Sequence, residues 1–545
     1  ESRKAIAVIG DGSMTGGLAF EGLNNAGADK QSDLLVILND NNMAIDRATG
    51  ALNDYLLRMS TSKTYNTFKQ RLWSALSRTP RLLRLCRKVG NAIKHGLLQN
   101  SNLFESFGFR YFGRIDGNDV KLLVRTLTAL KDIHSPKLLH VLTTKGHGYR
   151  PAEQDLPVWH APGKFNPDTG ERIESISNID RYQDVFGQTL LDLAKADSRV
   201  VGVTPAMPTG CSMNIMMAQM PTRCFDVGIA EAHAVTFSAG LASSGLVPFC
   251  NIYSTFMQRA YDSIIHDVAL QELPVVMCLD RGGIVGEDGA THHGVFDLAY
   301  LSCIPNIVVA APSNELQLRN LMYTALHSGK PFAIRYPRGY GMGVEWRDTA
   351  MQTMPIGKGA MIREGQDVAL LCFGTVTADG IAAAEIAERE GVSVEVVDMR
   401  WAKPVDEQMV AEVAAKFRRV VTVEDGVVDA ATVAFGVRNF EHQREALTEI
   451  KRTIRSGGHL VVLEFSNPRC GFVRWCYRLY SHYILPAIGR LVSKHATAYT
   501  YLPDSIDKFA SPEAFTTLLK EVGFDSVERK SQSLGIAHIY IAHKS

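Results

Sequence analysis

The sequence predicts an α/β protein built on doubly wound parallel sheets, and three observations lead there. Apolar, β-branched runs alternate with helix-like stretches through three successive units. The first two runs, residues 5–9 and 34–38, flank a helix-like stretch at 18–26, the spacing of a strand, crossover helix and parallel strand. A cluster of Pro162, Gly163, Pro167, Asp168 and Gly170 then reads as a linker into the next unit. At 545 residues the chain has room for three or four domains.

Taken in order, residues 1–175 form the first unit, interrupted by a basic, helix-like excursion at 61–95 carrying Arg71, Arg78, Arg81, Arg84, Arg87 and Lys88. That stretch reads as a solvated helical arm rather than a nucleic-acid surface. The second unit, 176–345, has strand-like runs at 200–203, 224–229, 275–279 and 306–310. The third, 346–428, has them at 368–372, 392–397 and 420–423. Residues 429–545 change character. An amphipathic helix presents Ala446, Leu447, Ile450 and Ile454 on one face, Gly457-Gly458 is its expected stop, and a strand is expected at 459–465.

Composition narrows the function classes. Hydrophobic residues make up 46% and charged residues 21%, with a formal net charge of +1, so no global field draws the chain to nucleic acid or anionic membrane. An anionic ligand must be gripped locally. The nine cysteines show no CxxC pair and no zinc-like spacing, which fits buried thiols in a reducing cytosol. No secretory signal and no membrane-spanning run is evident, so the expected location is cytoplasmic. A core-like strand begins almost at Glu1, which is expected to be a truncated start.

Two constellations carry chemistry. Asp11 lies in Gly10-Asp11-Gly12 at the end of the first run, and Asn41 follows the second in Asn39-Asp40-Asn41-Asn42-Met43. Parallel strands bring both tips to one carboxyl edge. A carboxylate, an amide oxygen and a backbone carbonyl there suit Mg²⁺ gripping a phosphate, and Gly10, Gly12, Gly16 and Gly17 let backbone come close to it. The spacing matches the motif for thiamine diphosphate. An ordinary βαβ unit with Asp and Asn as turn residues is the alternative. The second constellation is Glu231, in Phe225-Asp226-Val227-Gly228-Ile229-Ala230-Glu231-Ala232-His233, where a strand turns into an Ala-rich helix. A carboxylate there needs a partner; it also suits a helix start, where it complements the dipole.

Together with Thr143–Glu153 (TTKGHGYRPAE), Trp159–Phe165 (WHAPGKF), Ile252–Ala269, Asp280–Leu298 (DRGGIVGEDGATHHGVFDL) and Arg335–Gly339 (RYPRG), these motifs make residues 1–428 resemble the 1-deoxy-D-xylulose-5-phosphate synthases, transketolase-like thiamine diphosphate enzymes. The resemblance implies decarboxylative condensation of pyruvate with glyceraldehyde 3-phosphate, giving a precursor of isoprenoids, thiamine and pyridoxal, in a homodimer. It implies that Asp11, Asn41 and the Met43 carbonyl hold Mg²⁺, with Gly10, Gly12 and Lys145 near the diphosphate. Glu231 would activate the cofactor ring, Phe256 would stack on its pyrimidine, and Arg259 would adjoin it. Phe256 also suits plain core packing. His160 and His292 become the acid–base candidates. Arg281, Arg338 and Tyr253, with Asp288, become the sugar-phosphate clamp, since guanidinium forks match phosphate oxygens. His293 stands where another polar residue is expected, so its role is open. The family's chain opens well upstream of the Gly-Asp-Gly strand, so apolar edges are expected to be bare in the first unit. Another thiamine enzyme, a non-catalytic remnant or methyltransferase-derived binding module, or a demethylmenaquinone methyltransferase-type function from the C-terminal part are the rival readings.

Residues 429–545, through Glu464-Phe465-Ser466-Asn467-Pro468, Tyr499-Thr500-Tyr501-Leu502-Pro503-Asp504 and Glu521-Val522-Gly523-Phe524, resemble the C-terminal half of the quinone C-methyltransferases, a partial Rossmann-like domain. The Gly-rich loop and ribose-binding acid of an S-adenosylmethionine site are missing from it. Phe435, Gly436, Arg438 and Asn439 would edge a methyl-donor pocket lacking its other wall, so S-adenosylmethionine is expected only of a complete domain. The aromatic stretch 472–492 suits a buried cover helix or contact with a lipid quinone. The chain as a whole reads as a fusion of two gene fragments.

Overall fold

The computed structural model describes residues 4–43, 46, 49–61, 103–160, 162–172, 177–426, 428–434, 437–440, 442–466, 509–532 and 535–545, with scattered positions between 468 and 506. The basic stretch from residue 62 onward, Phe435 and Gly436, residues 499–504 and most of 472–492 lie outside this set.

In the first sheet, β1 (Ala5–Gly10) and β2 (Leu34–Asp40) run parallel in register from Ala5↔Leu34 to Gly10↔Asn39, with the helix Gly17–Ala28 as their crossover. β3 (Arg110–Asp116) and β4 (Lys137–Leu142) complete the order β1-β2-β4-β3. Both polar tips therefore leave the same edge, as the thirty-residue spacing requires. Leu38, Leu138 and Leu139 are fully buried in the central strands. On the edge strand β1, by contrast, Ile6 is 61% and Val8 70% exposed, and Leu18 on the adjoining helix is 79% exposed. The expected bare apolar edge is present.

The second sheet contains β5 (Val200–Thr204), β6 (Cys224–Asp226), β7 (Val247–Tyr253), β8 (Val276–Asp280), β9 (Val308–Ala310) and β10 (Phe332–Arg335). These six are mutually parallel, and all but β6 read as continuous buried runs because helices cover both faces. Two are shorter than the hydrophobic runs suggest. β6 stops at Asp226, whose carboxylate accepts the amides of Ala206 (2.8 Å) and Gly228 (3.0 Å), and Gly228 turns away at φ +74°. β9 starts only after Asn306, which is left-handed at φ +60°.

The third sheet holds β11 (Ala360–Arg363), β12 (Val368–Cys372), β13 (Val394–Asp398) and β15 (Val420–Val423), while the intervening β14 (Trp401–Lys403) crosses to the edge of the second sheet beside β9. Trp401 is fully buried there, edge-on to Phe332, its indole N–H donating to the Lys358 carbonyl at 3.0 Å. An all-parallel expectation needs correction at both margins: β11 is antiparallel to β13 and β14 antiparallel to β9. Edge strands need no crossover helix, so the alternation of runs could not report their direction.

The last sheet has β16 (Val428–Ala434), β17 (Ile454–Phe465), β18 (Ser526–Gln532) and β19 (Ala537–His543) in the order β16-β17-β19-β18. Its core includes Leu447, Leu460, Phe515, Leu519 and Tyr540. Here a helix stop at Gly457-Gly458 is not what forms. The helix Gln443–Thr453 ends earlier, and Ile454 already opens β17. Gly457, at φ +82°, donates to the Lys544 carbonyl, and the pairing jumps from Val428↔Ile454 to Ala430↔His459. The glycines thus make a bulge inside a strand, because Ile454, whose side chain is buried, extends the chain before them. Among the described residues, Cys211, Cys224, Cys250, Cys278 and Cys372 are buried free thiols and Cys303 is exposed, and no helix is long and apolar enough to cross a membrane.

Candidate active site

At the tips of β1 and β2, the Asp11 amide donates to the Asn39 carbonyl (3.1 Å), locking the Gly-Asp-Gly turn onto the neighbouring strand. Asp11 is 4% exposed, and neither carboxylate oxygen has a hydrogen-bond partner among the described residues. A buried unpaired carboxylate is costly unless a cation completes it. Burial raises its pKa, the nearby Asp40 charge adds to the rise, and the close backbone amides of Asn41 and Gly12 offset only part. The Asn41 backbone amide therefore lies close to the Asp11 carboxylate. Its side-chain oxygen accepts the Met43 amide at 3.2 Å, which fixes the loop and leaves one lone pair on that oxygen. Lys145 feels the charges of Asp11 and Asp46, although burial still lowers its pKa. It donates to Nδ1 of His160, an exposed residue that desolvation and then the Lys145 charge push below the usual histidine range.

Thr15 joins this loop to the second sheet. Its hydroxyl donates to the Gly12 carbonyl (2.7 Å) and accepts the Ile229 amide (3.0 Å). Gly228 must be glycine: a Cβ there would sit 3.1 Å from Thr15 Oγ1, at φ +74°. A second tie runs from Thr209, whose amide and hydroxyl donate to Asp46 at 3.1 and 2.9 Å. Two residues past Ile229, Glu231 opens the helix Glu231–Ser243 and is 6% exposed. Arg259 supplies its partner, donating from Nη1 to Oε1 at 2.6 Å.

From Glu231 the remaining candidates form one continuous chain of contacts. The Arg259 guanidinium lies 4.7 Å from the Phe256 ring centroid. Phe256 stacks on Tyr253 at 5.8 Å and meets the His292 ring edge-on at 5.2 Å. Arg281 sits 4.0 Å over Tyr253, and both Arg281 (3.6 Å) and Arg338 (3.3 Å) approach the same Asp288 oxygen. Arg281 is largely buried, left-handed at φ +62°, and donates from Nη1 to Asp280 (2.7 Å) and to the Gly210 carbonyl (3.0 Å). Burial raises the pKa of Asp280 to about 6 despite that contact. His293, left open by the sequence, helps build the loop, since its Nδ1 accepts the Val285 amide at 3.2 Å.

The structure thus gathers the sequence candidates into two groups. Asp11, Asn41, Met43, Lys145 and His160 belong to the first sheet's edge. Glu231, Arg259, Phe256, Tyr253, His292, Arg281, Asp288 and Arg338 belong to the second. Sequence reasoning missed Thr15, Asp46 and Thr209, which couple the two, and the buried Asp40. Thr15 sits among small residues, and nothing in its spacing separates it from a turn residue.

A strand-tip carboxylate on one sheet, tied to a glutamate-headed helix on the next, is the arrangement of the transketolase-like class. The model for the transketolase pyrimidine-binding domain matches residues 181–342, and the 1-deoxy-D-xylulose-5-phosphate synthase model matches residues 1–143. The synthase of Parabacteroides distasonis is 55% identical over 435 residues, covering 78% of this chain and 68% of that protein. Those of Phocaeicola vulgatus (52% over 461 residues, 83% and 72% covered) and Chlorobaculum tepidum (46% over 434 residues, 78% and 68%) are similar. The chain belongs to the 1-deoxy-D-xylulose-5-phosphate synthase family. Its C-terminal part matches the ubiE/COQ5 methyltransferase family over residues 342–544, a span that takes in the third sheet as well as the fourth.

Proposed function

We propose that residues 1–428 bind thiamine diphosphate with Mg²⁺ and join pyruvate to glyceraldehyde 3-phosphate, releasing CO₂ and giving 1-deoxy-D-xylulose 5-phosphate. The observation that carries this reading is the Asp11 carboxylate, buried with both oxygens unpartnered. A hard divalent cation is the partner that an Asp, Asn and carbonyl set accepts. Asp11, Asn41 and the Met43 carbonyl would hold it, and Gly10 and Gly12 would leave room for the diphosphate beside Lys145. When bound, the cofactor supplies the electron sink for decarboxylation.

The chain's own groups do the rest. Glu231, kept out of water by its burial and oriented by Arg259, would hold a proton toward a bound cofactor's aminopyrimidine. Phe256 would give that ring an apolar face. His292, against Phe256 and Tyr253, and His160, beside Lys145, are placed to move protons at the substrate oxygens. With Nδ1 accepting from Lys145, His160 would present its Nε2 side to the substrate. Arg281 and Arg338, now converging on Asp288, would take the aldehyde's phosphate. We assign residues 1–175 to the diphosphate-binding unit, 176–345 to the pyrimidine-binding unit, 346–428 to a third transketolase-type unit and 429–545 to the methyltransferase-derived part. In the last, Arg438 donates to Glu464 at 2.7 Å and lies over Phe465, and the sequence lacks the Gly-rich loop and ribose-binding acid of a methyl-donor site. S-adenosylmethionine should therefore give no heat of binding.

Calorimetric titration of the full chain tests this. Mg²⁺ with thiamine diphosphate should bind, and Asp11→Asn should weaken cation uptake at least about tenfold, the range seen for disturbed metal sites. Without ligand, the same variant should be the more stable protein by about 1–3 kcal/mol, since a buried unpaired charge is gone. The sign with pH follows: because the folded pKa of Asp11 is raised above 3.8, its contribution is fully present below 3.8 and is lost as pH rises through the folded value. The stability gap between the two proteins should then vanish in acid. Absence of any cation-dependent heat would instead select the reading of a non-catalytic remnant.

A further inference from the structure

Behind the strand tips lies a buried polar chain that the roles above do not use. His140, on β4, has no solvent exposure. Its Nε2 contacts Asp40 Oδ2 at 2.7 Å and its Nδ1 contacts the Tyr111 hydroxyl at 2.7 Å. An ionised carboxylate can only accept, so Nε2 carries the proton toward Asp40, and Nδ1 accepts from the tyrosine. Tyr111 is itself fixed by parallel stacking on the fully buried Phe104 at 6.0 Å. The surrounding backbone closes tightly on His140. A Cβ on Gly113 of β3 would fall 2.3 Å from the His140 carbonyl, and Leu38 of β2 is its register partner on the other side.

Asp40 is the last residue of β2, immediately before Asn41, and is 8% exposed. Its carbonyl accepts the Thr143 amide at 2.9 Å, while Asn39 accepts the Thr143 hydroxyl at 2.6 Å. β2 and β4 are thus bolted together at the level where the tip turns toward Asp11. Asp40 and Asp11, 8% and 4% exposed, thus lie at the tips of neighbouring strands on one sheet edge. Two buried like charges at one sheet edge repel each other unless a cation lies between or beside them.

We propose that His140 is a positioning residue. Held between Tyr111 and Asp40, it fixes Asp40 as a second buried negative charge behind Asp11 and so sets the divalent-cation affinity of the strand-tip site. This rests on the reading of that site given above. The chemistry is that of an outer-shell histidine–carboxylate pair, whose loss typically weakens metal binding about 10–100-fold.

The test is Mn²⁺ titration of the full chain at fixed thiamine diphosphate, read as free Mn²⁺ by electron paramagnetic resonance, alongside thermal melting of the ligand-free protein. His140→Gln places an amide donor near the Nε2 position and should stay within about threefold of the unsubstituted chain. His140→Asn cannot reach Asp40 and should bind Mn²⁺ at least about tenfold more weakly. Should His140→Asn fail to fold, Asp40→Asn removes the charge at constant shape and should show the same weakening. Unchanged Mn²⁺ affinity in His140→Asn or Asp40→Asn overturns the proposal. So does an equal loss in the Gln and Asn variants that follows a drop in melting temperature, which would make His140 a packing residue. A chain that takes up no Mn²⁺ before any substitution overturns the strand-tip reading and this proposal together.

Discussion

Replacing Arg335 by methionine is expected to destabilise the protein by about 3–5 kcal/mol, the cost of stranding a buried carboxylate. Arg335 ends β10 and is 3% exposed. Its Nε donates to Asp297 Oδ2 at 2.9 Å, Nη2 to the Gly294 carbonyl at 3.2 Å, and Nη1 to Asp425. Asp297, 1% exposed, also accepts the Ser254 hydroxyl at 2.7 Å. Burial alone would lower the arginine's pKa, but Asp297 and Asp425 together raise it above the usual value, so the charge is held firmly. Asp425 follows β15 of the third sheet, so this one side chain ties that sheet's end to the floor of the second. Methionine keeps much of the volume and none of the donors. Urea unfolding of the full chain measures the effect. A loss below about 1 kcal/mol would reduce the network to the worth of a surface pair. Asp425→Asn, at a partly exposed position, should cost less than Arg335→Met.

Glu231→Gln is expected to slow proton exchange at the thiazolium carbon of bound thiamine diphosphate by about 10²–10⁴-fold, the usual contribution of a positioned acid–base group. Glutamine preserves the volume and the oxygen that faces Arg259, whose contact with Glu231 is 2.6 Å, but not the ability to hold and release a proton. Mn²⁺ affinity should move less than about threefold, because Glu231 stands on the other sheet from Asp11. Exchange into D₂O followed by NMR reads the chemistry without requiring turnover. Exchange within about threefold of the unsubstituted chain would remove Glu231 from its assigned role, whatever happened to the synthase reaction.

Both expectations concern residues whose importance was unequally visible in the sequence. Glu231 stood out because a carboxylate in an Ala-rich helix start demands a partner, yet nothing near it in the chain named Arg259, which lies 28 residues on. Arg335 was legible only as part of a motif, and its three partners come from two distant segments, 294–297 and Asp425. The Asp11 and Asn41 tips were readable because a βαβ unit has few ways to close. Asp40 beside them carried no signal of its own, since its partner His140 is 100 residues away. The Gly457-Gly458 pair misled for a related reason. Glycine ends helices and bulges strands alike, and only pairing with Val428 and Lys544 decides between them.

The sequence by itself determined the alternation of buried runs and crossovers, the two polar strand tips on one edge, the glutamate-headed helix and the change of character after residue 428. Each of these is written in local pattern, where hydrophobic period and turn chemistry act between near neighbours. Only the tertiary structure decided the direction of the edge strands, the passage of β14 into its neighbour's sheet, the Thr15–Ile229 tie and the Tyr111–His140–Asp40 chain. Those depend on which distant segments meet, and hydrogen bonds formed across a hundred residues leave no periodic trace in the chain that makes them.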